Sequence, residues 1–184
     1  MISNEEAVAA MIRSYELINK EESILTIVLK GQLIIETEIE RLISTVYFDS
    51  SVFDLNRMQY PQKLDLLVAI GIFTKDEIAP YREFNKIRRK YAHDLMYELK
   101  KEDLNKVVDS LSRKHMVFFG SEKLSLIEDP HILLKSLLLP LLFMIILQNS
   151  QDKVFDKKPH EPMLISEMEY YKQMVLSKER REHE

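Results

Sequence analysis

Apolar residues recur at helical spacing along most of the chain and predict long helices joined by short polar segments. The first helix is expected to begin at Ser3, because Ser3-Asn4-Glu5-Glu6 matches a capping box, whose side chains satisfy the free N–H groups of a helix start. A second helix is predicted over about residues 22–47, with isoleucine, leucine and valine along one broad stripe. The polar and aromatic residues of 48–60 predict a connection.

The middle of the chain carries further signals of helix boundaries. One helix is predicted to open at Pro61 and to stop at Gly71, because proline suits the first helical turn and glycine the residue past the last. A second capping box, Thr74-Lys75-Asp76-Glu77, begins the next helix. Pro80 either kinks that helix or begins a new one, and the pattern over 81–95 is helical.

The last part of the chain predicts a core helix and an exposed one. A helix over about 102–116 is followed by a very apolar stretch over 132–147. This stretch is shorter than the roughly 20 residues of a membrane helix, and it contains Lys135 and Pro140. We therefore expect it to be buried in the core or in a subunit interface, with a membrane-tethered helix as the alternative. A thin apolar seam over 163–181 predicts one last, exposed helix.

Composition agrees with a helical chain. The 184 residues include 3 glycines, too few for the many tight turns of a β-sandwich or barrel. The predicted fold class is all-α: an up-down helical bundle with an additional apolar helix and a C-terminal helical tail. We divide the chain into a bundle over 1–119 and a helical extension over 120–184, which is expected to pack on the bundle or on a dimer.

The residue types exclude several kinds of chemistry. The chain has no cysteine, so disulfides, zinc–thiolate sites and cysteine nucleophiles are excluded. The first residues lack a basic segment followed by an apolar one, and a cytoplasmic location is the expectation. His131, His160 and His183 do not have metal-like spacing, and the sequence contains no glycine-rich phosphate loop, so we expect neither a metal nor a cofactor.

Two other groups of polar residues are expected to be structural. His115 stands in Arg113-Lys114-His115 near a predicted helix end, where a cation favours the helix dipole. The acidic pairs Glu21–Glu22 and Glu38/Glu40 are expected on solvated helix faces.

The segment 85–94 is a local basic patch in an acidic protein. A net charge of −4 argues against binding of nucleic acid through overall charge, so any such contact needs a patch of this kind. On a helix, four apolar or aromatic residues of this region share the side that is expected to face the core: Phe84, Ile87, Tyr91 and Leu95.

The polar side of the same helix carries a row of three residues at intervals of four. Asn85, Arg89 and His93 form this row roughly opposite the core and are flanked by Lys86 and Lys90. The row is therefore expected to face solvent, a ligand or a second copy of the chain. Arg88 lies at the border of the apolar face, where its stem packs and its head emerges.

The pair Arg88 and His93, separated by four residues and with Ala92 before the histidine, resembles the core motif of the HEPN superfamily of helical domains. A long helix around 33–39 and a helix over 62–71 precede the pair in the order found in a HEPN-like subgroup, so the resemblance covers about residues 28–113. At the position of Arg89 the family usually has asparagine or another small polar residue.

The resemblance implies a helical bundle that dimerises through the Arg/His helix, and in active members a composite site that cuts RNA without metal. It implies that His93 accepts the ribose 2′-hydroxyl proton or donates one to the leaving oxygen, while Arg88 holds the scissile phosphate. Asn85 or Arg89 would orient the phosphate or the histidine of the second copy. Further substrate-binding or orienting positions are Lys86, Lys90 and Asp94.

The resemblance supports two functions. One is an endoribonuclease that acts as a toxin or defence effector, with RNA as substrate and an antitoxin or regulatory protein as partner. The alternative is a non-catalytic, dimeric binding or regulatory module, as in mannitol-repressor-like relatives. Arg89 favours the second function, whereas the intact Arg88–His93 pair with Asn85 favours the first, which we prefer.

Overall fold

The computed structural model describes residues 4–46, 54–94, 96–116 and 121–149. These residues form an all-α bundle, as predicted, and no strand occurs among them. In chain order the helices are α1 (Asn4–Asn19), α2 (Ile24–Val46), α3 (Tyr60–Ala69), α4 (Lys75–His93), α5 (Lys101–Asp109), α6 (Arg113–Met116), α7 (Ser121–Ser125) and α8 (Pro130–Asn149), with a 3₁₀ turn at Leu55–Arg57.

Helix α8 forms the centre of the bundle. It packs mainly against α2 and α1 and also contacts α5, α6 and α7. A helix that is apolar on every face is either a core helix or a membrane span. By length and composition α8 is able to cross a membrane, but most of it is buried inside the bundle, as the core helix of a soluble protein is. It is longer at both ends than the predicted 132–147 and runs unbroken through Pro140.

Close approach between α2 and α8 depends on a glycine. A Cβ atom added at Gly31 would lie 2.8 Å from Leu138 Cδ2, closer than such atoms pack. The missing side chain therefore lets the two helices meet at this point. Nearer the start of α8, the Lys135 ammonium donates a hydrogen bond of 2.8 Å to the Asn19 carbonyl oxygen and so ties this helix to α1.

The start of α4 follows its predicted capping signal. The Thr74 hydroxyl accepts a hydrogen bond from the Glu77 N–H at 3.3 Å, and the Glu77 carboxylate accepts one from the Thr74 N–H at 2.7 Å. The predicted capping box is therefore confirmed. Gly71, just before it, has a φ of 77°, the left-handed conformation that glycine adopts without strain. Since α4 continues through Pro80 as one helix, the alternative of a new helix at Pro80 is wrong.

The single helix predicted over 102–116 is wrong, because α5 and α6 are separated by residues 110–112. The Ser110 hydroxyl donates to the Val107 carbonyl oxygen at 2.7 Å, and the Ser112 hydroxyl lies at the start of α6. Serine side chains that bond nearby groups compete with helical backbone bonds and favour such breaks.

Helix α6 carries His115 into the core, so the expectation of a cation that favours the helix dipole is wrong. The His115 side chain is completely buried. Burial lowers its pKa from 6.5 to about 4, and the nearby Glu77 carboxylate does not offset that effect. The ring is therefore neutral near pH 7 and serves as a core residue.

Several predicted segments lie partly or wholly outside the described residues. These are the helix start at Ser3, residues 48–53 of the connection over 48–60 and the helix over 163–181. The division at residue 119 stays a prediction. Within the extension predicted over 120–184, α7 packs against α5, and α8 packs into the bundle.

Candidate functional site

A cleft of about 410 Å³ lies where α2 and α4 meet the segment that leads into α3. Ligand pockets in proteins commonly have volumes of this order. The cleft is lined by Gln32, Glu36, Met58, Gln59, Tyr60, Pro61, Asn85, Arg88, Arg89 and His93.

The wall formed by α4 is cationic. Arg88, Arg89 and His93 line the cleft and have exposed side chains. Neither guanidinium makes an ion pair with another described residue. Two unpaired arginines and a histidine on one concave surface attract phosphate oxygens, because guanidinium groups match the geometry of phosphate and the cleft concentrates their charge.

Asn85 departs from the predicted geometry. The helical wheel places it in a row opposite the core, but its side chain is only 7% exposed. Helix α2 and residues 58–61 cover this side of α4, and a wheel of one helix cannot represent such a cover. The row of Asn85, Arg89 and His93 therefore faces the cleft. Asn85 lies at its buried end, and its amide makes no hydrogen bond with a described residue.

Two other predicted substrate-binding residues, Lys86 and Asp94, do not line the cleft. The exposed Lys86 ammonium pairs with the Glu83 carboxylate at 2.6 Å. The Asp94 carboxylate accepts a hydrogen bond of 2.9 Å from the Met96 N–H and closes the turn after α4. These two side chains therefore have local structural partners.

Lys90 also lies outside the cleft and connects α4 to α5. Its ammonium is 2.6 Å from the Asp103 carboxylate and 5.2 Å from the centre of the Tyr97 ring. The Tyr97 hydroxyl donates to the same carboxylate at 2.6 Å. Burial alone would raise the pKa of Asp103, but the hydrogen bonds from Lys90 and Tyr97 outweigh burial and lower it. The sequence motif therefore separates into cleft residues and residues that stabilise the fold.

Lys63 of α3 is a residue at the edge of this site that the sequence did not reveal. It is only 3% exposed, and its ammonium lies 2.6 Å from the Glu36 carboxylate and 2.5 Å from that of Glu40. Burial alone would lower the pKa of Lys63, but the two carboxylates outweigh burial and raise it, so the lysine is charged. The i,i+4 spacing of the two acids is visible in the sequence, but their cationic partner is not.

The expectation that Glu38 and Glu40 lie on a solvated face is wrong. Glu40 binds Lys63, and Glu38 is buried. The Asn149 amide at the end of α8 donates to the Glu38 carboxylate at 2.8 Å and to its carbonyl oxygen at 3.1 Å. Burial raises the pKa of Glu38, although Arg41 and the Asn149 amide act in the opposite direction.

The inner part of the cleft has neutral polar groups. Gln32 and Tyr60 are buried next to each other, and among the described residues neither side chain makes a hydrogen bond of ordinary geometry. Burial raises the pKa of Tyr60, so its hydroxyl keeps its proton. With Asn85 they give the cleft an uncharged interior behind a cationic rim.

This arrangement is suited to an anionic ligand with a polar body. The rim offers charged N–H donors and one imidazole, which is the side chain best suited to proton transfer near neutral pH. In the described part of the chain, no three histidine, aspartate or glutamate side chains are grouped so that they could hold a metal ion. No protein-family model matches the chain, and neither does a curated protein or a solved structure.

Proposed function

We propose that this chain is a HEPN-like, metal-independent endoribonuclease whose site is completed by a second copy of the chain. The observation that carries the proposal is the cleft in which Arg88 and His93 lie together with Arg89 and Asn85. The protein as a whole is acidic, with a net charge of −4, so attraction for an RNA backbone needs a local cationic surface such as this one.

Arg88 holds the scissile phosphate in this proposal. Its guanidinium makes no ion pair with a described residue, and its parallel N–H groups match two phosphate oxygens. The same contacts strengthen as negative charge builds up on those oxygens in the transition state. Arg89 contacts the same or a neighbouring phosphate, and the Asn85 amide orients the bound group from the buried end of the row.

His93 supplies the proton transfer. Its exposed imidazole accepts the proton of a ribose 2′-hydroxyl, and the resulting oxygen attacks the adjacent phosphorus. The bond between phosphorus and the 5′-oxygen then breaks, and that oxygen takes a proton from the same histidine of the second copy in its imidazolium form. The products are a 2′,3′-cyclic phosphate and a free 5′-hydroxyl.

The biological setting is part of the same proposal. A ribonuclease of this type acts in the cytoplasm as a toxin or defence effector. An antitoxin or another regulatory protein then restrains it, because uncontrolled cleavage would destroy the RNA of the cell that makes it.

Cleavage of labelled single-stranded RNA in excess EDTA tests the proposal. We expect fragments that end in cyclic phosphate, and a loss of at least about 100-fold in rate in His93→Ala. His131→Ala is the matched control, because His131 lies in the first turn of α8 and does not line the cleft. The proposal fails if the folded, dimeric wild-type chain leaves RNA intact both with and without divalent cations.

A non-catalytic module that binds an anionic partner through the same cleft is the second candidate. Arg89 favours it, because a second unpaired guanidinium beside Arg88 strengthens anion binding without supplying an acid or a base. In that case RNA stays intact, Arg88→Ala weakens binding of the partner, and His93→Ala has little effect on it.

A further inference from the structure

Glu36 is an acid in a cleft that is otherwise lined by cationic and neutral side chains. Among the described lining residues it alone carries a negative charge. Arg88 and Arg89 share the cleft with it, yet neither forms an ion pair with it. Its carboxylate lies 2.6 Å from the Lys63 ammonium instead. A carboxylate beside two arginines competes with phosphate for them. When another cation binds that carboxylate, the arginines stay available for phosphate.

Lys63 is well suited to hold this carboxylate. The lysine is 3% exposed, so packing around its stem leaves its nitrogen few alternative positions. Glu40, one turn further along α2, binds the same nitrogen from a position that does not line the cleft. The lysine therefore joins one acid that borders the cleft to one that does not.

We propose that Lys63 is a positioning residue of the cleft, which keeps Arg88 and Arg89 available for an RNA phosphate by holding Glu36 against α3. This inference rests on the proposed function in naming RNA as the ligand. The relationship between Glu36 and the arginines applies equally to any other anion.

The charges predict the effect of removing the lysine. Lys63, Glu36 and Glu40 together carry a charge of −1, and without the lysine the two acids carry −2. The freed Glu36 carboxylate then turns towards the guanidinium groups of Arg88 and Arg89, which line the same cleft and make no ion pair with a described residue. Every arginine that pairs with Glu36 is lost to the phosphate.

Two double variants with the same composition of charge test the inference. Lys63→Met/Glu40→Gln leaves Glu36 without its cation, whereas Lys63→Met/Glu36→Gln leaves Glu40 without its cation. Both remove one ammonium and one carboxylate, so they alter the overall charge equally. Binding of a fluorescein-labelled, short single-stranded RNA is measured by fluorescence anisotropy, with all variants in a His93→Ala background so that the probe stays intact.

The reference is the chain with His93→Ala alone. We expect Lys63→Met/Glu40→Gln to bind the RNA about tenfold more weakly than this reference. We expect Lys63→Met/Glu36→Gln to bind within about twofold of the reference, because no carboxylate is left in the cleft. Equal weakening of both variants would mean that Lys63 only supports the fold, and equal retention would mean that it has no effect. Either result overturns the inference. If the methionine variants do not fold, the same pair is made with Lys63→Gln, whose amide still forms hydrogen bonds.

A crystal structure of Lys63→Met/Glu40→Gln gives a readout that needs no ligand. The inference requires the Glu36 carboxylate to lie within about 4 Å of the Arg88 or Arg89 guanidinium, the usual limit for an ion pair. A carboxylate that stays against α3 or points to solvent overturns it. If the wild-type chain does not bind RNA, the proposed function fails, but this structure still decides the inference.

Discussion

Ser112 Oγ and His115 Nδ1 lie 2.7 Å apart in the turn that begins α6. On the other side of the ring, His115 Nε2 is 3.4 Å from the Tyr81 hydroxyl, which donates its own proton to the Leu141 carbonyl oxygen at 2.8 Å. The Tyr81 oxygen can therefore only accept from the ring, so a neutral His115 with its proton on Nε2 satisfies both contacts when Ser112 donates to Nδ1. The histidine is thus held neutral between α4, α6 and α8.

This burial of His115 predicts a pH dependence of stability. The pKa of His115 is about 4 in the folded chain and near 6.5 when unfolded, so the unfolded chain binds the proton more readily. The stability that the fold gains from a neutral His115 is therefore complete above about pH 6.5 and is lost as the pH falls towards 4. We expect this loss to lower the free energy of unfolding by about 2 kcal/mol between pH 7 and pH 5.

Urea unfolding of His115→Gln at pH 7 and pH 5 checks this prediction. In His115→Gln, the difference in unfolding free energy between pH 7 and pH 5 should be smaller than in the wild type by about this amount. His93→Gln, which changes an exposed histidine, should keep the wild-type difference between the two pH values. The acids Glu77 and Asp103 have lowered pKa values, so their contributions are lost at pH values below this window. An unchanged pH dependence in His115→Gln would contradict the prediction.

The separation of the basic segment into cleft and non-cleft residues predicts different effects on RNA binding. Arg88→Ala should weaken binding and should reduce the slope of log affinity against log salt by about 0.7, the value for one phosphate contact on a single strand. Lys86→Ala removes the same charge from the same helix but lies outside the cleft, so it should leave both quantities nearly unchanged. Equal effects of the two variants would mean that RNA binds by diffuse charge and does not occupy the cleft.

Lys90→Ala should affect stability more than function. The variant removes the ion pair with Asp103 and the contact with the Tyr97 ring. We expect a loss of about 1 kcal/mol in unfolding free energy, because the Lys90 head is partly exposed while Asp103 is buried. RNA cleavage measured well below the unfolding temperature should stay close to the wild-type rate. A fall in the rate of RNA cleavage as large as that caused by Arg88→Ala would place Lys90 in the site.

The contact between α2 and α8 predicts a strong sensitivity at Gly31. Gly31→Val should lower the unfolding free energy by about 1–3 kcal/mol, because Leu138 is buried and must move to admit the new side chain. Thr37→Val on the exposed face of the same helix is the control and should change it by less than about 0.5 kcal/mol. Thermal unfolding measures both, and a fully stable Gly31→Val would contradict the prediction by showing that the Leu138 side chain moves aside at no cost.

The sequence predicted the helices well where their signals are local. The capping box at Thr74 and Glu77 consists of neighbours in the chain, and the glycine after α3 acts on its own backbone. Pro80 and the 110–112 break were harder to predict. Pro80 is the sixth residue of α4, a position where proline removes a backbone hydrogen bond and often breaks a helix, yet this helix continues. Serine side chains end a helix only when they find nearby partners.

The sequence patterns did not predict the contacts between helices. Lys63 meets Glu36 and Glu40 across 27 and 23 residues, and nothing in the spacing of these residues pairs them. Asn85 lies on the polar side of its own helix and is buried only because residues 58–61 and α2 cover it. The motif identified Arg88 and His93 as candidates, but the other cleft walls come from the folding of distant segments together.

The central position of α8 has a consequence for the order of events as the chain is made. Helices α1 and α2 leave the ribosome early, but the element that fills the space between them comes about a hundred residues later. Until then the faces of α1 and α2 that pack on α8 lack this partner, and contacts this distant in sequence form slowly. Because α2 forms one wall of the cleft and packs on α8, we expect the cleft to form only after α8 has been synthesised. A shorter nascent chain would carry the Arg/His helix without the α8 packing that fixes the α2 wall of the cleft.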